Sequence, residues 1–204
     1  MDGSPELVFQ IERVTTPCGT MLLATDLATD REETLCALDW DDNEDRVRRL
    51  LNQYYPPNKI RLEARPSASS VRRAIEAYLA GDLQAIDSIR VKAPGTPFQQ
   101  EVWTALRAIP AGTTTSYGAL AEKLNRPSAM RAVGLANGSN PIAVVVPCHR
   151  VIGADGSLTG YGGGLDRKRW LLEHEGVDVS NLKRSPRRRG SGAQLGLGLA
   201  AAAK

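Results

Sequence analysis

Lys92-Ala93-Pro94-Gly95-Thr96-Pro97-Phe98-Gln99 divides the chain. Its prolines and glycine end whatever precedes them. Thr96, Pro97 and Gln99 then open a helix, with a hydroxyl cap, a proline where no amide proton is needed, and a glutamine placed to close a capping box. Upstream, Leu7-Val8-Phe9-Gln10-Ile11, Thr20-Met21-Leu22-Leu23-Ala24 and Thr34-Leu35-Cys36-Ala37-Leu38 alternate between turn formers, as strands of a small antiparallel sheet do. Asp45 to Tyr55 and Ser69 to Leu79 repeat instead with the helical period, placing Val47, Leu50, Leu51 and Tyr54 on one face of the first and Val71, Ile75, Tyr78 and Leu79 on one face of the second. Residues 1–91 are therefore expected to form an α/β amino-terminal domain with a small antiparallel sheet and helices.

Downstream the pattern is mostly α-helical. Phe98, Val102, Leu106 and Ile109 form a core-facing stripe that Pro110-Ala111-Gly112 ends. Ser116 to Leu124 and Ser128 to Gly138, separated by Arg126-Pro127, have the spacing of a helix-turn-helix. Ile142 to Val146 is expected to be a buried extended segment delivering Pro147-Cys148. A glycine-rich loop, Gly160-Tyr161-Gly162-Gly163-Gly164, and a helix from Arg167 to Glu175 close a domain spanning 92–180. Residues 181–204, basic and without amphipathic period from about Lys183, are expected to be a disordered tail.

Charge is distributed unevenly. Residues 1–91 carry 11 Lys/Arg against 16 Asp/Glu, residues 92–180 carry 9 against 7, and residues 183–204 carry 6 with no acid. A polyanion would be met by the second segment and the tail. No run approaches the ~20 apolar residues of a membrane span, and Met1-Asp2-Gly3-Ser4-Pro5-Glu6 lacks the features of a signal peptide, so an intracellular, cytoplasmic location is expected, nuclear in a eukaryote. Three cysteines at irregular spacing argue against a disulfide framework, and only two histidines with no paired cysteines argue against a zinc site. No metal and no cofactor are expected.

Cys148 follows a proline and an apolar run and precedes His149 and Arg150. Alone, such a cysteine is more often a core residue than a nucleophile. A neighbouring base and cation favour the reactive thiolate, but on an extended chain His149 would point away from the sulfur, so a turn or a relay is required.

The ordered set Phe98-Gln99-Gln100-Glu101-Val102-Trp103, Ile109-Pro110-Ala111-Gly112, Ser116-Tyr117-Gly118, Arg131-Ala132-Val133-Gly134, Asn140-Pro141, Pro147-Cys148-His149-Arg150-Val151-Ile152-Gly153 and Gly160 to Leu165 resembles the O6-alkylguanine-DNA alkyltransferases from about Gly95 to Gly176. The resemblance implies DNA repair by single-use, irreversible transfer of an alkyl group from O6-alkylguanine, and possible action on O4-alkylthymine, to Cys148 of a monomer bound to double-stranded DNA, with the damaged base flipped out. It implies a relay from Cys148 through water to His149 and Glu175, Tyr117 as proton donor to the leaving base, and Asn140 as support of the active-site turn. Arg131 matches the residue that fills the vacated stack, and Ser116, Ala129, Ala132, Gly134 and Ala136 match a helix pair entering the minor groove, where small side chains ease approach. Tyr161, Gly162 and Gly163 match the loop over the base, with Val151, Ala143 and Asn137 at the pocket edge. His174 is expected on the solvent side of the last helix. Alkyltransferase-like binding proteins carry another residue in place of the cysteine, which Cys148 argues against.

Overall fold

A computed structural model describes residues 7–27, 33–56 and 60–184. Strands β1 (Leu7–Thr16), β2 (Gly19–Leu27) and β3 (Glu33–Trp40) form a meander, and helix α1 (Glu44–Tyr54) then crosses to the far edge, where β4 (Ile60–Ala64) pairs with β1. That pairing is parallel, Leu7 opposite Ile60 through Ile11 opposite Ala64, so the sheet is mixed, in the order β3-β2-β1-β4, and not antiparallel throughout. The crossover through α1 is the cause, since a strand reached by a helix can return in the direction it left. Only Ile60 and Leu62 alternate in β4, too short a pattern to stand out in the sequence.

Both faces of the sheet are covered. Met21 and Leu23 face one core while Leu22 and Ala24 face another, completed by Phe9, Val47, Leu51 and Tyr55 under α1. A bulge between Ala24 and Thr25 opposes Ala37 to one and Leu35 to the other, which puts adjacent Cys36 and Ala37 in the α1 core and Leu35 and Leu38 in the larger one. Helix α2 (Ser70–Leu79), capped by the Ser69 hydroxyl on the Arg72 amide at 2.8 Å, buries Val71, Ile75 and Tyr78 against that larger core.

The second half begins as its sequence requires. Thr96 and Gln99 form the reciprocal capping box of α3 (Pro97–Arg107), with the Thr96 amide 2.8 Å from Gln99 Oε1. Strand β5 (Thr115–Ser116), α4 (Tyr117–Lys123), a tight turn over Pro127–Ala129 and α5 (Met130–Gly138) follow; the turn, not the helix, takes up Ser128. Strands β6 (Val151–Ile152) and β7 (Ser157–Leu158) lead to α6 (Leu165–His174). Lys183 and Arg184, expected to open the disordered tail, pair with β7 as β8; the rest of that tail lies outside the described residues.

The free edge of β3 holds the second half in place. The Leu38 amide donates to Pro141 O at 2.9 Å and its carbonyl accepts from the Ala143 amide at 2.8 Å, while Leu35 brackets Val91 in the same way. Among the described residues no helix is long and apolar enough to cross a membrane.

Candidate active site

Ile142–Val146 is buried as expected, but only Ile142 is extended. Val144 has φ +68°, and Val145 N reaches Ala143 O at 2.8 Å, so the chain reverses in a tight turn. A β-branched residue in this region is strained and persists only where surroundings over-determine it. Asn140 does this: its Nδ2 donates to Val146 O at 2.8 Å and Ile142 O at 3.3 Å, and its Oδ1 accepts from the Ile142 amide at 3.0 Å. Cys148, His149 and Arg150 then form one 3-10 turn. That turn replaces the extended geometry under which His149 would have pointed away.

Cys148 lines a cavity of about 260 Å³ together with Tyr117, Asn137, Asn140, Ala143, Tyr161, Gly162 and Gly163. Its thiol is pushed up by burial, against the opposing effects of Asn140, Lys168 and Arg46. Burial therefore opposes ionisation of the sulfur, and the thiolate that its neighbours favour needs a base to form.

His149 is fully buried, and burial lowers its basicity against the opposing pull of Glu175, so the imidazole is neutral at rest. Its Nε2 lies 3.0 Å from Glu175 Oε1. A carboxylate can only accept, so Nε2 carries the proton and Nδ1, which has no partner among the described residues, is the basic nitrogen. Glu175, just past α6, also accepts from Arg150 Nε and Nη2, both at 2.8 Å, and from the Tyr78 hydroxyl at 2.8 Å. Burial alone would raise its carboxyl; the bonds from His149 and Arg150 outweigh this and hold it far below the usual carboxylate range.

Tyr117 sits half-buried at the start of α4. Its oxygen accepts from Thr159 Oγ1 at 3.4 Å, leaving its own proton to be directed elsewhere, and burial pushes the phenol up. Gly163 packs beneath the Trp40 indole, where a Cβ would overlap the ring nitrogen. Val151 does not border the cavity: it is fully buried, and its carbonyl accepts from Lys168 Nζ at 2.6 Å. Of the small residues expected at the groove, Ala129 in the turn before α5 and Gly134 on it are half-buried, Ala132 is exposed with Arg131, and Ala136 is buried, turned away from the outer face by the helical period. The Ser116 hydroxyl caps α4 through the Ala119 amide at 3.1 Å. His174 faces the amino-terminal half instead of solvent, stacked on Trp170 at 5.0 Å and donating to Tyr78 O at 2.8 Å.

Three site residues escape sequence reasoning. Arg46 of α1 pairs with Asp39 and donates to Gly138 O at 3.0 Å and Asn140 O at 3.2 Å, tying the first half to the hinge of the site. Tyr78 read as an ordinary core aromatic. Lys168 carried a signal, a lysine on the apolar face of α6, one turn before Leu171 and Leu172. It is fully buried, its Nζ also donates to Thr159 O at 2.7 Å, and burial lowers it to about 8 against the opposing effect of Cys148. Lys168→Met is expected to slow small-electrophile labelling of Cys148 at neutral pH about tenfold, the equivalent of ~1.4 kcal/mol of lost charge stabilisation. Its labelling profile should also move to higher pH; an unmoved profile would show that Lys168 only joins the two carbonyls.

A buried thiol on a cavity, backed by an imidazole locked to a carboxylate, defines a cysteine-dependent group-transfer protein. Residues 97–177 match the family model for the 6-O-methylguanine DNA methyltransferase DNA-binding domain. The methylated-DNA-protein-cysteine methyltransferase of Salmonella typhimurium is 47% identical over 165 residues, 81% of this chain and 94% of that protein. That of Mycobacterium tuberculosis is 54% identical over 128 residues, 62% of this chain and 77% of the relative. A crystal structure of Mycobacterium tuberculosis O6-methylguanine methyltransferase, 42% identical, superposes with a TM-score of 0.64 over 83% of this chain and 92% of that one. An OGT from the same organism, solved in complex with DNA, gives 0.65 at 40% identity over 87% and 96%. The chain belongs to the methylated-DNA-protein-cysteine methyltransferase family.

Proposed function

We propose that this protein repairs alkylated DNA by transferring an alkyl group from O6 of guanine to Cys148, once per molecule. The observation that carries this reading is the Cys148 thiol on a cavity with the neutral His149–Glu175 pair behind it. A proton passes from Sγ through one water to His149 Nδ1, and Glu175 stabilises the imidazolium. The sulfur forms its bond to the alkyl carbon as the bond from that carbon to O6 breaks. The electron pair left on the purine is neutralised by a proton from Tyr117, since an anionic purine leaves poorly. The thioether product has no hydrolysis route, so the protein is consumed.

A base stacked in a duplex hides its O6 substituent, and the damaged nucleotide must be extruded into the cavity. We assign α4 and α5 to a helix-turn-helix whose second helix lies in the minor groove of double-stranded DNA, with Arg131 entering the vacated stack. The outer face of α5 suits a groove ~6 Å wide. Ala132 and Gly138 are small, while Met130 and Leu135 are 52% and 76% exposed apolar groups of the kind that wedge base steps. The division at residues 91 and 92, a monomeric protein and an intracellular site of action belong to the same reading.

The test is transfer from a duplex labelled on the O6 alkyl group. Label that survives denaturation of the protein and plateaus at one per chain is expected; repeated turnover would contradict the proposal.

A further inference from the structure

Lys183-Arg184-Ser185-Pro186-Arg187-Arg188-Arg189 holds five of the six Lys/Arg found in residues 183–204, with no acid among them, and lies beyond the 97–177 family match. The α4–α5 pair assigned to the minor groove is, by contrast, poor in charge. Residues 113–138 contain three basic side chains, Lys123, Arg126 and Arg131, and one acid, Glu122. Arg126 pairs with Glu101 at 3.0 Å, and Arg131 is assigned to the vacated stack, which leaves exposed Lys123 for the backbone phosphates. Duplex affinity comes largely from such phosphate contacts. The basic run is rooted where it can supply them. Strand β8 pairs parallel with β7, Lys183 opposite Ser157 and Arg184 opposite Leu158, and strands so paired run side by side ~4.8 Å apart in one direction. From β7 the chain continues through Thr159, whose hydroxyl donates to the Tyr117 oxygen at the start of α4, to Gly160 and Tyr161 on the cavity wall. Strand β8 therefore ends heading toward the cavity and the first helix of the pair. That root is fixed: Val179 packs with Leu158 and Leu172, and Arg169 donates to Val179 O at 2.9 Å and Leu182 O at 3.1 Å.

We propose that Arg187, Arg188 and Arg189 form a phosphate-binding arm that extends from β8 and grips the duplex backbone beside the flipped nucleotide. The proposal rests on the repair function proposed above and supplies charge that α4 and α5 lack. Arg184 to Arg189 can span at most ~17 Å, about five steps of one DNA strand at ~3.4 Å of axis each, so three consecutive guanidinium groups can meet consecutive phosphates. Arginine suits the task because its planar fork holds a phosphate through two parallel N–H bonds. A fixed root keeps the arm at high effective concentration once the cavity has engaged the lesion. Phosphates carry no sequence, so the arm adds affinity equally on any duplex and leaves recognition of the alkylated base to the cavity.

Binding of the full chain to two undamaged duplexes of unrelated sequence would be measured from about 50 to 200 mM salt. Each arginine that neutralises one phosphate contributes about 0.9 to the slope of log K against log salt, so the triple variant Arg187→Gln, Arg188→Gln, Arg189→Gln should be shallower than the parent by about 2.7. The loss should be the same on both duplexes, as expected of contacts to phosphate and not to bases. Deleting residues 190–204 removes only Lys204 of the six basic residues and should change the slope by less than about 1. A triple variant with the parent's slope, a loss confined to one of the two sequences, or an equal loss on deleting residues 190–204 would overturn the assignment to these arginines. Transfer by the parent from an O6-methylguanine duplex, measured alongside, would then leave the repair function standing. A parent that transfers no methyl group from that duplex would remove that function, and the proposal with it.

Discussion

Cys148→Ala is expected to abolish transfer while the protein stays folded and still binds DNA. No second thiol can substitute. Cys36 is buried in the separate core under α1, 3.6 Å from Thr34 O, and Cys18 lies beside the Thr16 hydroxyl at the turn between β1 and β2. Burial pushes both thiols up, so neither is a competing thiolate. Losing one sulfur from a cavity wall costs about 1 kcal/mol, the worth of roughly one buried methylene. The exposed face of α5 is untouched. Single-turnover transfer and electrophoretic mobility shift on the same duplex give the two readings; residual transfer would place the acceptor elsewhere, and lost binding would mean that the sulfur also holds the α5 surface in position.

Glu175→Ala should be the most destabilising single change at the site. Its two oxygens accept four hydrogen bonds, from His149, Tyr78 and twice from Arg150. Arg150 is 3% exposed and would keep its charge without a partner. Breaking a buried pair in this way costs about 3–5 kcal/mol, a fall in melting temperature of about 10 °C or more for a chain of this size. Because folding depresses the carboxyl, its contribution is fully present above the unfolded value of ~4.3 and is lost only as pH falls below it toward the folded value. The gap between parent and variant should therefore be constant near neutrality and narrow in acid. Transfer by whatever fraction remains folded should be slow at neutral pH, since nothing then fixes the His149 proton on Nε2. A variant that melts like the parent would contradict the hydrogen-bond network.

The elements with a strong period were legible before the fold was. Thr96 and Gln99 announced the start of α3 by chemistry local to four residues, and the α1 and α2 faces followed from spacing alone. What failed was decided by contacts distant in sequence. The apolar run Ile142–Val146 reads as a strand, yet Asn140 and the edge of β3 claim its hydrogen bonds at Ile142 and fold the rest into a turn. The direction of β4 depends on where α1 sets it down, which its five residues do not encode. At the site, the order of motifs around Cys148 was visible, whereas Arg46 and Tyr78 reach the relay and the hinge from the other half of the chain, and no local pattern marks such a residue. The residues flanking Cys148 reveal a nearby base but not the depth of burial that opposes ionisation of the thiol.

The central claim is that one cysteine of three accepts the alkyl group. Peptide mass mapping after reaction with an excess of O6-methylguanine duplex tests it most directly. The account predicts a single added methyl group on the peptide bearing Cys148, at a stoichiometry that stops at one, with Cys18 and Cys36 unmodified. Methyl on either of those residues, or demethylated DNA with all three cysteines unchanged, would contradict it.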